Sequence, residues 1–211
     1  MTDVVTGTRR RENTRARLLD AAFDVFADVG LDAASVEAVC ERAGFTRGAF
    51  YSNFASKDEL FFELARTVSE RKLEAITERV RQITGQSDPC VGPGETVQQL
   101  VEVSLDSRQG MLLASEIRTR AMRDEQTAVA YRAWMDSMVA RVTTIIEDLV
   151  ATYGLALRMP AGDFAQIMLD LWESTAVSAL TERLDGEATA QLMARRTHTL
   201  AVAVVEGFPA E

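Results

Sequence analysis

The sequence predicts an all-α protein in which a small three-helix head is joined by a long helix to a larger helical body. Apolar residues recur at helical spacing along most of the 211-residue chain, and no segment shows a convincing strand alternation. Glycine and proline mark the breaks between these segments, most clearly at 85–94 and 154–162. The chain is long enough to bury a sizeable core as one compact unit or as two small domains.

The first predicted helix covers 13–29 and is ended by Gly30. Its apolar side consists of Leu18, Leu19, Ala22, Phe23, Val25 and Phe26. Ser35 is a good N-cap for a short second helix, and Gly44 supplies the positive φ with which many helices end. The apolar face of this second helix is formed by Val36, Val39, Cys40 and Ala43.

A third helix is predicted directly after the glycine stop, with Thr46 as its N-cap. Phe50 and Phe54 are spaced to bury against the core of the head. The exposed face then consists of Thr46, Arg47, Ala49, Tyr51 and Asn53. Because Gly48 has no side chain, the backbone there could come close to a phosphate or a base edge. This arrangement is typical of a DNA-binding helix-turn-helix.

Ser56 can cap a long helix that starts at Lys57 and runs to about 83, long enough to join the head to the body. Its apolar stripe contains Phe62, Leu73, Ile76, Val80 and Ile83. The charge of Lys57 opposes the local helix dipole, so we expect it to bind an anion outside the protein. Five more helices are predicted in the body, at about 95–106, 109–123, 125–153, 163–184 and 188–207.

The residues from Ala43 to Leu60 resemble the amino-terminal domain of TetR-family transcriptional regulators. They read A-G-F-T-R-G-A-F-Y-S-N-F-A-S-K-D-E-L, a long and ungapped match to the pattern of that family. The resemblance implies a helix-turn-helix DNA-binding domain over 1–56 and a helical ligand-binding and dimerisation domain over 57–211. Asn53 departs from the family, in which a His or Tyr at this position commonly contacts a phosphate.

By this resemblance, the residues that enter the major groove of double-stranded DNA are Thr46, Arg47, Gly48 and Ala49. The residues that would bind phosphates are Ser35, Tyr51, Asn53 and Lys57. Arg47 is the one side chain of this set with the bidentate geometry to read guanine. The implied function is a ligand-responsive regulator, usually a repressor, that a small and largely apolar effector releases from a palindromic operator. Ligand is expected to tilt the helix starting at Lys57 and to change the spacing of two recognition helices from about 34–36 Å.

The net charge of −9 is unevenly distributed. Residues 1–57 contain eight basic and eight acidic side chains, so the remaining chain carries the whole negative excess. A basic segment near the amino terminus contains Arg9, Arg10, Arg11, Arg15 and Arg17. This segment could lie along a phosphate backbone, although such a run is also typical of a solvated tail.

The last two predicted helices carry apolar stripes mixed with small residues, which favours close helix packing. The stripes contain Leu169, Ala176, Leu180 and Leu184 on one helix and Leu192, Thr199, Val202, Ala203 and Val205 on the other. Because one short recognition helix buries little surface, we expect a homodimer through this pair, mainly from the family resemblance. The alternative is that both stripes face the core of their own chain.

Bulky and pliable side chains in the body predict an adaptable apolar pocket. The candidate ligand-binding residues are Met111, Trp134, Met138, Phe164, Met168 and Trp172. An ordinary core would explain any single one of them, but as a group they favour an apolar ligand over a sugar or a phosphate. Glu116, Arg118 and Arg120 could add a charged contact or simply form an exposed helix face.

Several classes of function have little support. The single histidine, His198, has no cysteine or carboxylate cluster at metal-ligand spacing, so we expect no enzyme, cofactor or metal site. No apolar stretch is long enough to span a membrane and no secretory signal is present, so a cytoplasmic location is expected. Cys40 and Cys90 lack C-x-x-C spacing, which disfavours a redox role. A helical sensor that acts through protein contacts and an all-helical enzyme stay open as alternatives.

Overall fold

The computed structural model describes residues 2–84, 92–104 and 107–208, with the side chains of 11–82, 92, 94–104 and 107–208. Cys90, the predicted helix end at Asp106 and the side chains of Arg9, Arg10 and Ile83 lie outside these residues. In the described part the chain forms nine α-helices and one pair of very short strands. The predicted all-α class is confirmed.

The head contains α1 (Thr2–Ala33), α2 (Val36–Ala43) and α3 (Arg47–Tyr51), and α4 (Lys57–Thr84) connects it to the body. The body contains α5 (Pro93–Ser104), α6 (Arg108–Ala121), α7 (Glu125–Tyr153), α8 (Ala161–Thr181) and α9 (Gly186–Val204). These helices correspond to the predicted ones, and apart from the start of α1 their ends differ by a few residues.

The three predicted caps of the head are confirmed. Ser35 Oγ accepts a hydrogen bond from the amide of Ala38 at 3.1 Å, and Thr46 Oγ1 accepts one from Ala49 at 3.3 Å. Ser56 Oγ accepts the amide of residue 59 at 3.0 Å, at the start of α4. Gly44 has a φ of 71°, which ends α2 and turns the chain toward α3. Local side-chain chemistry therefore fixes where these helices begin and end.

The regular part of α1 ends at Gly30, as predicted. Gly30 has non-helical angles, with φ 77° and ψ 166°, but one further short turn follows it to Ala33. The helix also begins earlier than predicted, at Thr2, so the basic amino-terminal segment is helical rather than an irregular tail. Gly30 therefore ends the regular part of α1 and produces a kink before the last short turn.

The apolar core of the head continues past the predicted domain boundary at residue 56. From α4 it includes Leu60, Phe61, Leu64 and Ala65, and from α6 it includes Leu113 and Ile117. The rings of Phe26 and Phe61 pack edge to face, with centroids 5.5 Å apart. Since one core contains residues of α1 to α4 and of α6, the position of the head depends on both the linking helix and the body.

One feature of the body was not predicted. Strand β1 (Ala156–Leu157) pairs antiparallel with strand β2 (Val205–Glu206), directly after α9. Two residues are too few to show a strand alternation, which explains why the sequence did not reveal it. Val205, which was assigned to a dimer stripe, is buried in the core of its own chain, and that assignment is wrong. Among the described helices, none is both long and apolar enough to cross a lipid bilayer.

Candidate nucleic-acid interface

The short helix α3 exposes its first turn. Solvent reaches the residues predicted to enter the groove, which are Thr46, Arg47, Gly48 and, in part, Ala49. On the opposite side Phe50 is completely buried, and its ring contacts Phe54 at a centroid distance of 5.8 Å. Tyr51 follows with 51% of its surface exposed. One aromatic anchor therefore fixes the helix while the predicted contact residues stay accessible.

Gly48 lies in the exposed turn and has no close neighbour that would exclude a side chain. A methyl group built there would meet only the Thr46 hydroxyl oxygen at 3.7 Å, which is an ordinary van der Waals distance. Gly48 is not among the positive-φ glycines either. The packing of the chain therefore does not require glycine at this position, and the open space lies on the surface predicted to meet DNA.

The guanidinium group of Arg47 pairs with a carboxylate that was not singled out from the sequence. Arg47 Nη1 lies 2.7 Å from Oε1 of Glu37, in the first turn of α2. The guanidinium carbon also lies 5.9 Å from the ring centroid of Tyr51. The hydrogen bond to Tyr51 and the charge of Glu37 raise the pKa of Arg47, so the group is cationic at all relevant pH values.

Ser35 is exposed at the start of α2, and its hydroxyl group can still donate a hydrogen bond. Its Oγ accepts the amide hydrogen of Ala38, so the hydroxyl hydrogen remains available as a donor to a phosphate oxygen. The structure is thus compatible with the predicted phosphate contact of Ser35. The exposed ring of Tyr51, beside Arg47, is likewise compatible with the predicted phosphate contact of that residue.

Asn53 does not lie on the exposed face, and the expectation that it does is wrong. Its residue surface is 9% exposed, and its Nδ2 donates to the carbonyl of Ala49 at 2.8 Å. The side-chain oxygen is buried without a hydrogen-bond partner in the described part of the chain. Because the amide is turned back onto its own helix, Asn53 is not positioned to donate to a phosphate.

Lys57 has an internal role that the sequence argument did not anticipate. Its Nζ donates to the carbonyls of Leu31 at 2.7 Å and Ala34 at 2.9 Å, and more weakly to Asp32 at 3.4 Å. These carbonyls end α1, where the negative end of the helix dipole attracts a cation. The charge of Lys57 is therefore compensated within the protein and does not by itself require an anion from outside.

The basic segment holds the head together. Arg11 Nη2 donates to the carbonyl of Ser52 at 3.2 Å, and Arg15 Nη1 donates to that of Asn53 at 2.7 Å. Arg17 Nη2 donates to the carbonyl of Ala43 at 2.9 Å, at the end of α2. Three of the five clustered arginines thus attach α1 to the carboxyl-terminal ends of α2 and α3. A contact of this segment with DNA stays a prediction.

Cys40 is buried in the core of the head. Burial first, and then the charge of Glu37, raise the pKa of its thiol. Since the thiolate is the reactive form, a raised pKa makes this cysteine a poor nucleophile. No group of three or more potential metal-ligating side chains occurs in the described ranges.

The head and the body meet at α6. Oε2 of Glu116 accepts a hydrogen bond from the amide of Leu31 at 2.6 Å, next to the kink at Gly30. One turn later, Arg120 Nη2 donates to a carboxylate oxygen of Asp58 at 2.9 Å, in the first turn of α4. Two charged residues of α6 therefore hold the end of α1 and the beginning of α4.

Two adjoining cavities lie in the body. The first, which we call the apolar cavity, has a volume of about 110 Å³. Most of its lining is aliphatic or aromatic, with Phe164 and Met168 among the residues. Its polar groups satisfy one another, because Thr96 Oγ1 and the Tyr153 hydroxyl lie 2.6 Å apart and Trp172 Nε1 donates to Thr197 at 2.8 Å. The wall therefore presents almost no polar atom to a ligand.

The second, called here the mixed cavity, has a volume of about 170 Å³ and shares the side chain of Trp172 with the first. Its lining includes an ion pair, in which Arg118 Nη1 lies 2.7 Å from Oε1 of Glu173. Burial first, and then Glu173, raise the pKa of Tyr131, which keeps that phenol protonated. The indole nitrogen of Trp134 is buried without a hydrogen-bond partner among the described residues.

The six candidate ligand-binding residues are distributed over these two cavities. The apolar cavity is lined by Phe164, Met168 and Trp172, and the mixed cavity by Met111, Trp134, Met138 and Trp172. The structure thus brings them together in space, and their contact with a ligand stays a prediction. Of the three charged residues considered, Arg118 lines a cavity, whereas Glu116 and Arg120 contact the head.

The contacts that sequence reasoning missed join different helices. Glu116 and Asp58 pair with groups 85 and 62 residues away, and Glu37 of α2 pairs with Arg47 of α3. For Glu37 a signal existed, because it lies two residues after the candidate phosphate contact Ser35, in the first turn of the predicted helix. For Glu116 no local pattern distinguishes a contact with the head from an exposed helix face.

Known proteins resemble this chain over most of its length. Residues 18–64 match the profile described as bacterial regulatory proteins, tetR family. The chain is 31% identical over 183 residues to the HTH-type transcriptional regulator Rv2912c of Mycobacterium tuberculosis, which covers 87% of this chain and 85% of that protein. A shorter stretch of 81 residues, 38% of this chain and 43% of the other, is 37% identical to the HTH-type transcriptional repressor Rv1474c of the same species.

The fold has close counterparts among solved structures. A crystal structure described as that of a TetR-family transcriptional regulator from Mesorhizobium loti superposes with a TM-score of 0.74, over 92% of this chain and 98% of that one. The sequence identity is 17%, so this likeness concerns the fold alone. The relatives compared here carry names of transcriptional regulators, in agreement with the expectation that the chain is not an enzyme.

Proposed function

Since the chain belongs to the TetR family of bacterial transcriptional regulators, we propose that it is a repressor whose dimer leaves a palindromic operator when a small effector binds the body. The exposed first turn of α3 is the observation that carries the proposal. Thr46, Arg47 and Gly48 are accessible there, whereas Phe50 anchors the helix in the core. Repression is supported by the shorter match to a protein named as a repressor.

The proposed base contact is made by Arg47. Its guanidinium group can donate two parallel hydrogen bonds to O6 and N7 of guanine, a geometry that no other exposed side chain of α3 offers. Ser35 and Tyr51 would bind phosphates on either side and fix the position of α3 in the groove. Asn53 has no part in this proposal because its amide is buried.

The proposed effector is small and largely apolar. The apolar cavity supports this chemistry, because Thr96 and Trp172 are bonded to the hydroxyl groups of Tyr153 and Thr197, and Ser104 is bonded to the carbonyl of Leu100. The lining of the mixed cavity adds a few polar side chains, among them Tyr131, Arg118 and Glu173. An effector that spans both cavities would therefore be mostly hydrocarbon, with at least one polar group.

The proposed dimer forms through α8 and α9. Apolar residues of α9 are only half-buried in the single chain, among them Leu192 and Val202. Ile167 of α8 is 40% exposed. A second copy that packs against this pair would bury these side chains and relate two α3 helices by the two-fold axis that a palindrome requires.

The proposed release depends on α6. One side of this helix contributes Met111 and Arg118 to the mixed cavity, and another side holds the head through Glu116 and Arg120. A ligand that displaces α6 would therefore move the end of α1 and the start of α4 together. A shift of a few ångströms in the spacing of the two α3 helices, from about 34–36 Å, would prevent both from binding one operator.

A selection from random DNA tests this function. The full-length protein is mixed with a pool of random duplexes, bound sequences are recovered, and affinity is then measured between about 50 and 200 mM salt. We expect a palindromic site and a steep loss of affinity with salt. Mass spectrometry of the denatured protein identifies any co-purified small molecule. Weak, sequence-blind binding by ligand-free protein would contradict the proposed function.

A further inference from the structure

An acidic residue lies within the surface that is expected to approach DNA. Glu37 belongs to the first turn of α2, two residues after the cap Ser35, and its Oε1 lies 2.7 Å from Arg47 Nη1. Both side chains are largely exposed, with 57% of Glu37 and 62% of Arg47 accessible. A carboxylate at this place repels phosphates, so it weakens the general electrostatic attraction to DNA.

The contact with Glu37 leaves Arg47 able to bind guanine. An arginine side chain has five N–H donors in a planar fork, and the ion pair is made through Nη1. The centroid of the Tyr51 ring lies 5.9 Å from the guanidinium carbon. Arg47 therefore contacts both a carboxylate and an aromatic ring, which restricts its orientation before DNA binds.

We propose that Glu37 is a specificity-determining residue, which restrains Arg47 and disfavours its contact with phosphates. This inference rests on the proposed function of the DNA-binding face. On a non-specific sequence, Arg47 would turn to the nearest phosphate, break the ion pair and leave the Glu37 carboxylate unpaired near negative charge. On the operator, the guanidinium donates to guanine while Glu37 remains bound. Glu37 thus lowers non-specific affinity more than specific affinity.

The substitution Glu37→Gln tests the charge without changing the shape of the side chain. Affinities of the full-length protein for the recovered operator and for a scrambled duplex are measured over the same salt range. We expect the ratio of specific to non-specific affinity to fall about two- to fivefold, the range of an exposed ion pair. The non-specific salt slope should become steeper by about one, because Arg47 then neutralises a phosphate.

Two further variants separate this effect from a general change in charge. Glu41→Gln removes the same charge one turn later on α2 and should raise both affinities by a similar factor. In an Arg47→Ala background, Glu37→Gln should leave the affinity ratio unchanged, because the pair no longer exists. An unchanged ratio in the single variant, or the same fall in both backgrounds, would overturn the inference.

The outcome for the unsubstituted protein distinguishes the two proposals. If it recovers no preferred sequence, the proposed function fails, and the inference fails with it. If it recovers an operator and Glu37→Gln keeps the affinity ratio, only the role of Glu37 is refuted. Thermal unfolding of each variant checks that the exposed substitutions leave the fold unchanged.

Discussion

The backbone amide of Leu31 donates to Oε2 of Glu116 over 2.6 Å, although 85 residues separate them in the chain. The carbonyl of the same residue accepts a hydrogen bond from Lys57 Nζ at 2.7 Å. The kink at Gly30 exposes both groups by ending the regular helical pattern. The end of α1 is thus held by the carboxylate of Glu116 from the body and by the ammonium group of Lys57 from the linking helix.

We expect Glu116→Ala to lower the free energy of unfolding by about 1 to 3 kcal/mol, because the half-buried amide of Leu31 loses a charged acceptor. Urea unfolding of the full-length protein measures the change. Glu147→Ala, an exposed position on α7, is the matched control and should change stability by less than about 0.5 kcal/mol. Equal stability of both variants would show that the contact with Leu31 contributes nothing to the fold.

Gly30→Ala should also destabilise the protein, for two reasons. A residue other than glycine is strained at a φ of 77°, and the new Cβ would lie 2.8 Å from Oε1 of Glu116. We expect a loss of about 1 to 3 kcal/mol from backbone strain, with the clash in addition. In a Glu116→Ala background the loss should be smaller, because the clash is absent. Strictly additive losses in urea unfolding would argue against a direct contact.

Gly48→Ala should separate DNA binding from folding. The methyl group fits within the protein, and alanine favours a helix over glycine by about 0.5 to 1 kcal/mol, so stability should stay equal or rise. Affinity for the operator should fall by about 1 to 3 kcal/mol if the backbone approaches DNA closely. Fluorescence anisotropy with labelled operator measures this, and Gly186→Ala at the start of α9 is the control. Unchanged affinity would place Gly48 away from the DNA surface.

Lys57→Met should reduce stability as well as DNA binding. The carbonyls of Leu31 and Ala34 lose their charged donor, which we expect to lower the free energy of unfolding by about 1 to 3 kcal/mol. Because α1 and α4 would then be less firmly joined, affinity should fall alike for operator and scrambled DNA. Arg132→Met, exposed on α7, provides the control for loss of a positive charge. A variant that keeps its stability but binds DNA weakly would support the predicted phosphate contact of Lys57 instead.

The local features of the head could be predicted because each depends on residues a few positions apart. Ser35, Thr46 and Ser56 cap helices through bonds that span three residues, and such patterns are visible in the sequence. The burial of Phe50 and Phe54 follows from the helical period in the same way.

The roles of Arg15 and Lys57 could not be predicted, because their partners are distant in the chain. Arg15 bonds to the carbonyl of Asn53, 38 residues away, and Lys57 bonds to that of Leu31, 26 residues away. A basic residue near a DNA-binding motif favours a phosphate contact when only the sequence is known. The tertiary structure offers helix carboxyl-terminal ends as an alternative site for the same charge. The burial of the Asn53 amide is likewise a result of packing.

The position of the two tryptophans has a practical consequence. The chain contains only Trp134 and Trp172, and both line the mixed cavity. When excitation is restricted to wavelengths that tryptophan absorbs and tyrosine does not, the emission of the unlabelled protein therefore originates from these two indole rings in the cavity wall. A molecule that enters displaces water or repacks the indole rings, so its arrival should change the emission spectrum. The protein thus carries its own optical reporter, with which a compound library can be screened before any operator is known.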